Sequence, residues 1–136
     1  IRIIAGELSV EVLKNFNAIA PQPQNTSLAS HCKKISKSDG EICFDNAFDI
    51  YNKFRAFTPW PGLFLSSGLK LKSIELVETT SKNNAGVILA IDSAAVVVGC
   101  TSGSLRIHTL QSESKNETSA TAYLNGKRLK VADYLS

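Results

Sequence analysis

The residues of this chain that could carry out acid–base, nucleophilic or metal chemistry are few and do not converge. His31 and Cys32 are adjacent, so their side chains diverge on a strand or a helix alike. Cys32 and Cys43 stand eleven residues apart with no second pair, which is not the ligand spacing of a zinc site. His108 alternates with Ile107 and Thr109 in a strand-like run and reads as a surface or barrel-wall histidine rather than a general base. Asp39-Gly40-Glu41 has the composition of a turn, and Ser102-Gly103-Ser104 that of a hairpin connection. No glycine-rich phosphate loop is present. The expected catalytic set is therefore none, and the expected metal set is none.

The cationic residues are better organised. Between His31 and Lys72 there are seven Lys or Arg against four Asp or Glu, while the segments before and after are balanced. The whole net charge of +3 lies in that stretch. Lys33, Lys34 and Lys37 cluster at its start, Lys70 and Lys72 alternate on one strand face, and Lys127, Arg128 and Lys130 form a second small cluster. Spaced cations of this kind suit a phosphate backbone, although solvated surface is the commoner explanation of a patch this modest.

Positioning these residues requires a folded domain, and the chain can supply one. Its 136 residues are 43% hydrophobic and 20% charged, the composition of a soluble globular chain. The longest apolar runs, such as Ala94 to Val98, are far short of the ~20 residues of a membrane helix, so no membrane partner is expected. Three cysteines without close pairing point to a reducing, cytoplasmic setting. The chain contains no Met, initiator included, and is expected to be a piece of a longer protein.

Leu8, Val12 and Phe16 recur at spacing four, predicting an amphipathic helix over about Ile3 to Phe16. Pro21 and Pro23 then break the pattern and predict a linker. A lone helix needs a surface to cover, so a helix tethered by such a linker is expected to be the last element of a preceding domain. Asp45 to Phe57 is the clearest helix, with Ala47, Ile50, Tyr51, Phe54 and Phe57 on one face. Asn46 is placed to cap it, and Asp49 and Lys53 to form an i,i+4 pair. Beyond Pro61 the texture changes. Gly62–Ser66, Lys70–Glu78, Val87–Ile91, Ala94–Cys100 and Leu105–Leu110 read as short strands punctuated by glycines. Ser119 to Leu124 predicts one or two helical turns, and Lys127 to Val131 an edge strand that closes the barrel. The fold class expected from this pattern is mainly β with short helices: a small closed barrel or sandwich preceded by an amphipathic helix and a linker.

Two segments carry a family resemblance: Lys33 to Ile42 (KKISKSDGEI) and Ile50 to Leu65 (IYNKFRAFTPWPGLFL). In this order they resemble the start of the C-terminal domain of methionyl-tRNA formyltransferases, and LKLKSIELVE, LRIHTLQ and ATAYLNG follow in the family's order. Two departures stand out. Cys43-Phe44 replaces the family's Asp-Trp, and Glu113 to Glu117 is a less basic approach to the short helix than the family's.

The resemblance implies an OB-fold-like Greek-key barrel that holds initiator methionyl-tRNA while a preceding catalytic domain transfers a formyl group from 10-formyltetrahydrofolate. The family's catalytic Asn, His and Asp and its folate pocket belong to that other domain, so this chain alone is expected to be inactive and to bind no cofactor. Residues 1–18 would be the terminal helix of the catalytic domain, 19–33 the linker, and 34–136 the tRNA-binding domain of a monomeric enzyme. Lys33, Lys34, Lys37, Lys70, Lys72, Lys127, Arg128 and Lys130 are the expected RNA contacts. Arg55, Pro59, Trp60, Pro61 and Gly62 form the structural junction, in which Trp60 reads as a plug and Arg55 as a pin for nearby carbonyls. The rival readings are a scaffold domain of a nucleotide-sugar formyltransferase or formyltetrahydrofolate dehydrogenase, and a protein-interaction barrel.

Overall fold

The structure, a computed structural model, describes residues 2–135, Arg2 by its backbone alone. The chain divides into two units, Ile1–Lys33 and Lys34–Ser136. In the first, α1 spans Arg2–Lys14 and runs into a 3-10 turn at Phe16–Ala18. Residues 19–25 have no regular structure, as Pro21 and Pro23 dictate. The side chain of Asn25 then caps a second turn, Thr26–Leu28, by accepting from the Ser27 N–H at 3.0 Å. The apolar surface of α1 is wider than the predicted stripe. Leu8, Val12 and Phe16 are exposed, and so are Ile3 and Val10, which a 100° step per residue turns to the opposite side.

The second unit opens with a 3-10 turn, Lys37–Gly40, in which the Ser36 N–H donates to the Asp39 carboxylate at 2.7 Å. Helix α2, Ala47–Phe57, follows. Asn46 caps it as expected, its side-chain oxygen accepting from the N–H groups of Phe48 (2.9 Å) and Asp49 (3.3 Å). Ala47 and Ile50 are buried, with Tyr51, Phe54 and Phe57 packed against the core. The expected Asp49–Lys53 pair is replaced: Lys53 Nζ donates to the Glu41 carbonyl at 3.0 Å. An exposed i,i+4 pair is worth only a few tenths of a kcal/mol, so a charge-assisted bond to a backbone carbonyl competes easily.

Six strands form one sheet: β1 Leu63–Phe64, β2 Lys70–Glu78, β3 Ile88–Ile91, β4 Val96–Gly99, β5 Ser104–Gln111 and β6 Thr118–Ser119. All pairings are antiparallel in the order β1-β2-β5-β4-β3, and β6 also pairs with β5. β3, β4 and β5 are a meander, and β2 returns by a long connection to lie beside β5, which is Greek-key order. β5 is the hinge of the sheet. Its first half pairs with β4 through Ser104–Ile107, and Thr109 and Leu110 pair with β6. Bulges in β2 between Leu71 and Ile74 bend it around the core. That core is aliphatic, with Leu63, Leu71, Ile88, Val96, Val98, Leu105, Ile107 and Leu110 all essentially inaccessible.

One sequence expectation fails here. Lys127 to Val131 is not an edge strand. Lys127 ends α3 (Ala120–Lys127), and Arg128 adopts a left-handed conformation (φ 58°) that caps it, its N–H bonding the carbonyls of Asn125 and Leu124. The Leu129 N–H closes on the Leu124 carbonyl at 2.9 Å, so these amides are spent on a helix terminus. The free edge of β3 is covered a few residues later. Ala132 N–H donates to the Ile88 carbonyl (2.9 Å), Ile88 N–H to Asp133 (2.8 Å), and Val87 bridges to Tyr134. The other edge is covered by the Glu41–Phe64 bridge. The result is the mainly β, barrel-like domain that the strand pattern predicts.

Candidate nucleic-acid interface

The junction between α2 and β1 builds one wall of a cleft of 380 Å³. Thr58 ends α2, its N–H and hydroxyl both donating to the Phe54 carbonyl (3.1 and 2.7 Å). Pro59, Trp60 and Pro61 follow, with cis peptide bonds before both prolines, and the Gly62 N–H returns to the Phe57 carbonyl at 3.0 Å. Gly40 packs directly on this turn. A Cβ there would overlap the Gly62 carbonyl oxygen and crowd Pro61 and Phe64. The Ile42 N–H, bonded to the Phe64 carbonyl at 3.0 Å, continues the contact. The segment bearing Lys37 is thereby locked against the segment bearing Trp60.

The opposite wall is the loop after β5. Gln111 Nε2 donates to the Lys115 carbonyl at 2.9 Å, and the Lys115 N–H to Ser112 at 3.2 Å, which fixes the loop beside Lys70 of β2. Lys37, Lys70 and Lys115 thus line the cleft together with Trp60, and Glu41 and Glu113 line it too. A second groove of 310 Å³ shares Ser112 and Lys115 with the first and extends past Tyr123 to Lys127. Lys37, Lys70, Lys115 and Lys127 therefore border two adjoining grooves that together make a lysine-bearing track, which Glu41 and Glu113 also line.

Of the residues expected from sequence, Lys37, Lys70 and Lys127 fall on this track. Lys34 opens the second unit and is exposed, whereas Lys33 ends the first. Lys72 forms an ion pair with Glu117 at 2.9 Å. The side chains of Arg128 and Lys130 are exposed, and the Lys130 N–H bonds the Asp133 carboxylate at 2.7 Å. Trp60 is not a plug. It is 60% exposed at the cleft rim, because the two flanking prolines turn the chain and β1 supplies the buried residues, Leu63 first. Arg55 is exposed and, among the described residues, has no hydrogen bond to a carbonyl; Lys53 provides the pin. Sequence reasoning missed Lys115, which lies between Glu113 and Glu117 in a loop that reads as net acidic. The signal is three-dimensional: Glu117, in the loop before β6, is engaged by Lys72 of β2.

The remaining titratable groups are dispersed. His108 Nε2 lies 3.4 Å from Glu75 Oε2. The Ser81 hydroxyl and N–H and the Thr80 N–H hold the Glu78 carboxyl down at about 2. Burial, reinforced by Asp45, Cys43 and Glu78, pushes the Cys100 thiol up to about 12, so it is a neutral core group and not a nucleophile. Among the described residues no group of three or more His, Cys, Asp or Glu could hold a metal, and no helix is long and apolar enough to cross a membrane.

Fold and surface together define a Greek-key β-domain with two adjoining grooves bordered by Lys37, Lys70, Lys115 and Lys127. Residues 34–128 match the formyl transferase C-terminal domain family, and the chain belongs to it. Similar proteins include the methionyl-tRNA formyltransferases of Sulfurimonas denitrificans (58% identical, over 98% of this chain and 44% of the relative) and Nitratiruptor (54%, over 96% and 43%). That of Campylobacter lari is 46% identical over 97% of this chain and 44% of its own length. The chain thus spans less than half the length of these relatives. Among solved structures, a HypX variant from Aquifex aeolicus superposes with a TM-score of 0.60 at 21% identity, over 92% of this chain and 24% of HypX. HypX in complex with tetrahydrofolic acid gives 0.57 at 21% identity, over 87% and 22%. At that identity the likeness concerns the fold alone.

Proposed function

We propose that this chain is the tRNA-holding portion of a methionyl-tRNA formyltransferase, a cytoplasmic translation-initiation enzyme acting as a monomer. Residues 34–136 form an OB-like module that grips initiator methionyl-tRNA, residues 19–33 are a linker, and residues 1–18 are the terminal helix of the catalytic domain. That other domain carries the transfer of the formyl group from 10-formyltetrahydrofolate to the methionine. Apolar surface on both sides of α1 supports this division, because such a helix is stable only when covered.

The observation that carries the reading is the basic track of Lys37, Lys70, Lys115 and Lys127 across two adjoining grooves. Folded RNA is gripped by shape through phosphates and 2′-hydroxyls, which calls for spaced cations on a rigid surface. The scaffold role of the related formyltransferases gives no reason for such a track. Filter binding of initiator tRNA to the 136-residue chain across a salt series tests the proposal. Affinity should fall steeply as salt rises, and alanine at Lys33, Lys34 and Lys37 together should flatten the slope. Binding that ignores salt, or none at low salt, defeats the RNA reading. The chain alone should transfer no formyl group.

A further inference from the structure

Trp60 is the only tryptophan in the chain, and it is 60% exposed at the cleft where Lys37, Lys70 and Lys115 meet. An indole left in water forfeits the stabilisation that burial would give it, and the turn that presents it is held by backbone bonds at both ends. The surroundings define what would cover it. Its aromatic face is a stacking platform, and three ammonium groups stand around the same cleft. Gln111, Ser112 and Ser114 add hydrogen-bonding groups. Glu41 and Glu113 line the same cleft, where a carboxylate can accept from a base amino group or a 2′-hydroxyl while the ammonium groups meet phosphate. Stacking needs a base whose faces are free, which excludes the interior of a helix.

We propose that this cleft takes one unpaired nucleotide of the bound RNA, its base stacked on Trp60 and its flanking phosphates on Lys37, Lys70 and Lys115. The proposal rests on the RNA-binding reading above and adds to it a residue, Trp60, and a preference for an unpaired base.

Because no other tryptophan is present, indole emission reports on this cleft alone. The experiment titrates the 136-residue chain with a short unstructured oligoribonucleotide, a blunt RNA duplex and initiator tRNA, following emission and filter binding in parallel. The expected result is saturable quenching by the single strand and by tRNA, stronger than by the duplex. Trp60→Ala should weaken single-strand binding roughly five- to 150-fold, Trp60→Phe should retain most of it, and Lys37→Ala/Lys70→Ala/Lys115→Ala should abolish quenching. These four residues are exposed, so circular dichroism of the variants should match the parent. RNA binding without quenching, or with Trp60→Ala binding as tightly as the parent, overturns the stacking site and leaves the RNA reading standing. Equal quenching by duplex overturns the preference for an unpaired base. The same change at the same affinity with an acidic peptide overturns the nucleotide assignment. No RNA binding at low salt overturns both readings.

Discussion

Gly40 and Gly62 are in van der Waals contact, Cα against carbonyl, with no room for a side chain between them. The contact joins the two segments on which the family resemblance rests, KKISKSDGEI and IYNKFRAFTPWPGLFL. These motifs belong together because they form the two sides of one packed corner, and that corner sets Lys37 beside Trp60.

Gly40→Ala should therefore be costly although the backbone at Gly40 is not left-handed. The added methyl meets a carbonyl oxygen on a fixed turn rather than a movable side chain. Overpacking of this kind typically costs about 1–3 kcal/mol, so the urea midpoint should fall with an unchanged slope. A midpoint equal to the parent's would mean that the corner yields.

Gly103→Ala should be worse. Gly103 has φ 84°, and a Cβ there would run into the Glu78 carbonyl and lie 2.9 Å from Ala47 Cβ. Conformational strain of about 1 kcal/mol adds to the clash. Thermal melting should show a loss larger than that of Gly40→Ala, whereas Gly126→Ala, with open space around it, should melt near the parent temperature.

Glu78 predicts the acid behaviour. Its carboxyl is held near 2 in the folded protein, by the Ser81 hydroxyl and N–H first and the Thr80 N–H next. A depressed carboxylate contributes stability above its unfolded value of about 4.3, and loses it as pH falls toward about 2. Glu78→Gln should flatten that part of the stability-against-pH profile measured by urea unfolding. An unchanged acid limb would show that the Ser81 contacts do not persist in solution.

The cysteines should differ sharply in reactivity. Cys32 and Cys43 are exposed, and Cys100 is fully buried with its thiol pushed up to about 12. Disulfide-exchange reagents should label Cys32 and Cys43 quickly in the native protein and Cys100 only on unfolding. Rapid labelling of Cys100 would indicate local opening of the β4–β5 turn.

On the RNA track, Lys115→Ala should reduce the salt slope by about one, as removal of a phosphate contact does. Arg106→Ala should leave the slope unchanged, since Arg106 lines neither groove and pairs with Asp92 at 3.5 Å. Equal effects would point to bulk charge rather than a defined track.

The sequence by itself determined the elements whose cause is local. Five apolar positions at helical spacing and a capping Asn46 specify α2, prolines specify the breaks at Pro21, Pro23, Pro59 and Pro61, and alternation specifies β2 and β5. Periodicity and backbone chemistry act over a few residues, so they are visible in a single chain. Only the tertiary structure decided what depends on distant partners. Leu129 and Val131 alternate with cations as a strand would, yet they lie in and beyond the α3 cap, since a helix terminus claimed the amides first. Lys53 bonds a carbonyl twelve residues back instead of Asp49, Lys72 of β2 pairs with Glu117 of a distant loop, and Lys115 lines the cleft. Trp60 looked like core because large aromatics usually are, and the geometry of one proline-flanked turn put it at the surface. Side-chain pairing across a sheet is set by register and packing, which no local pattern encodes.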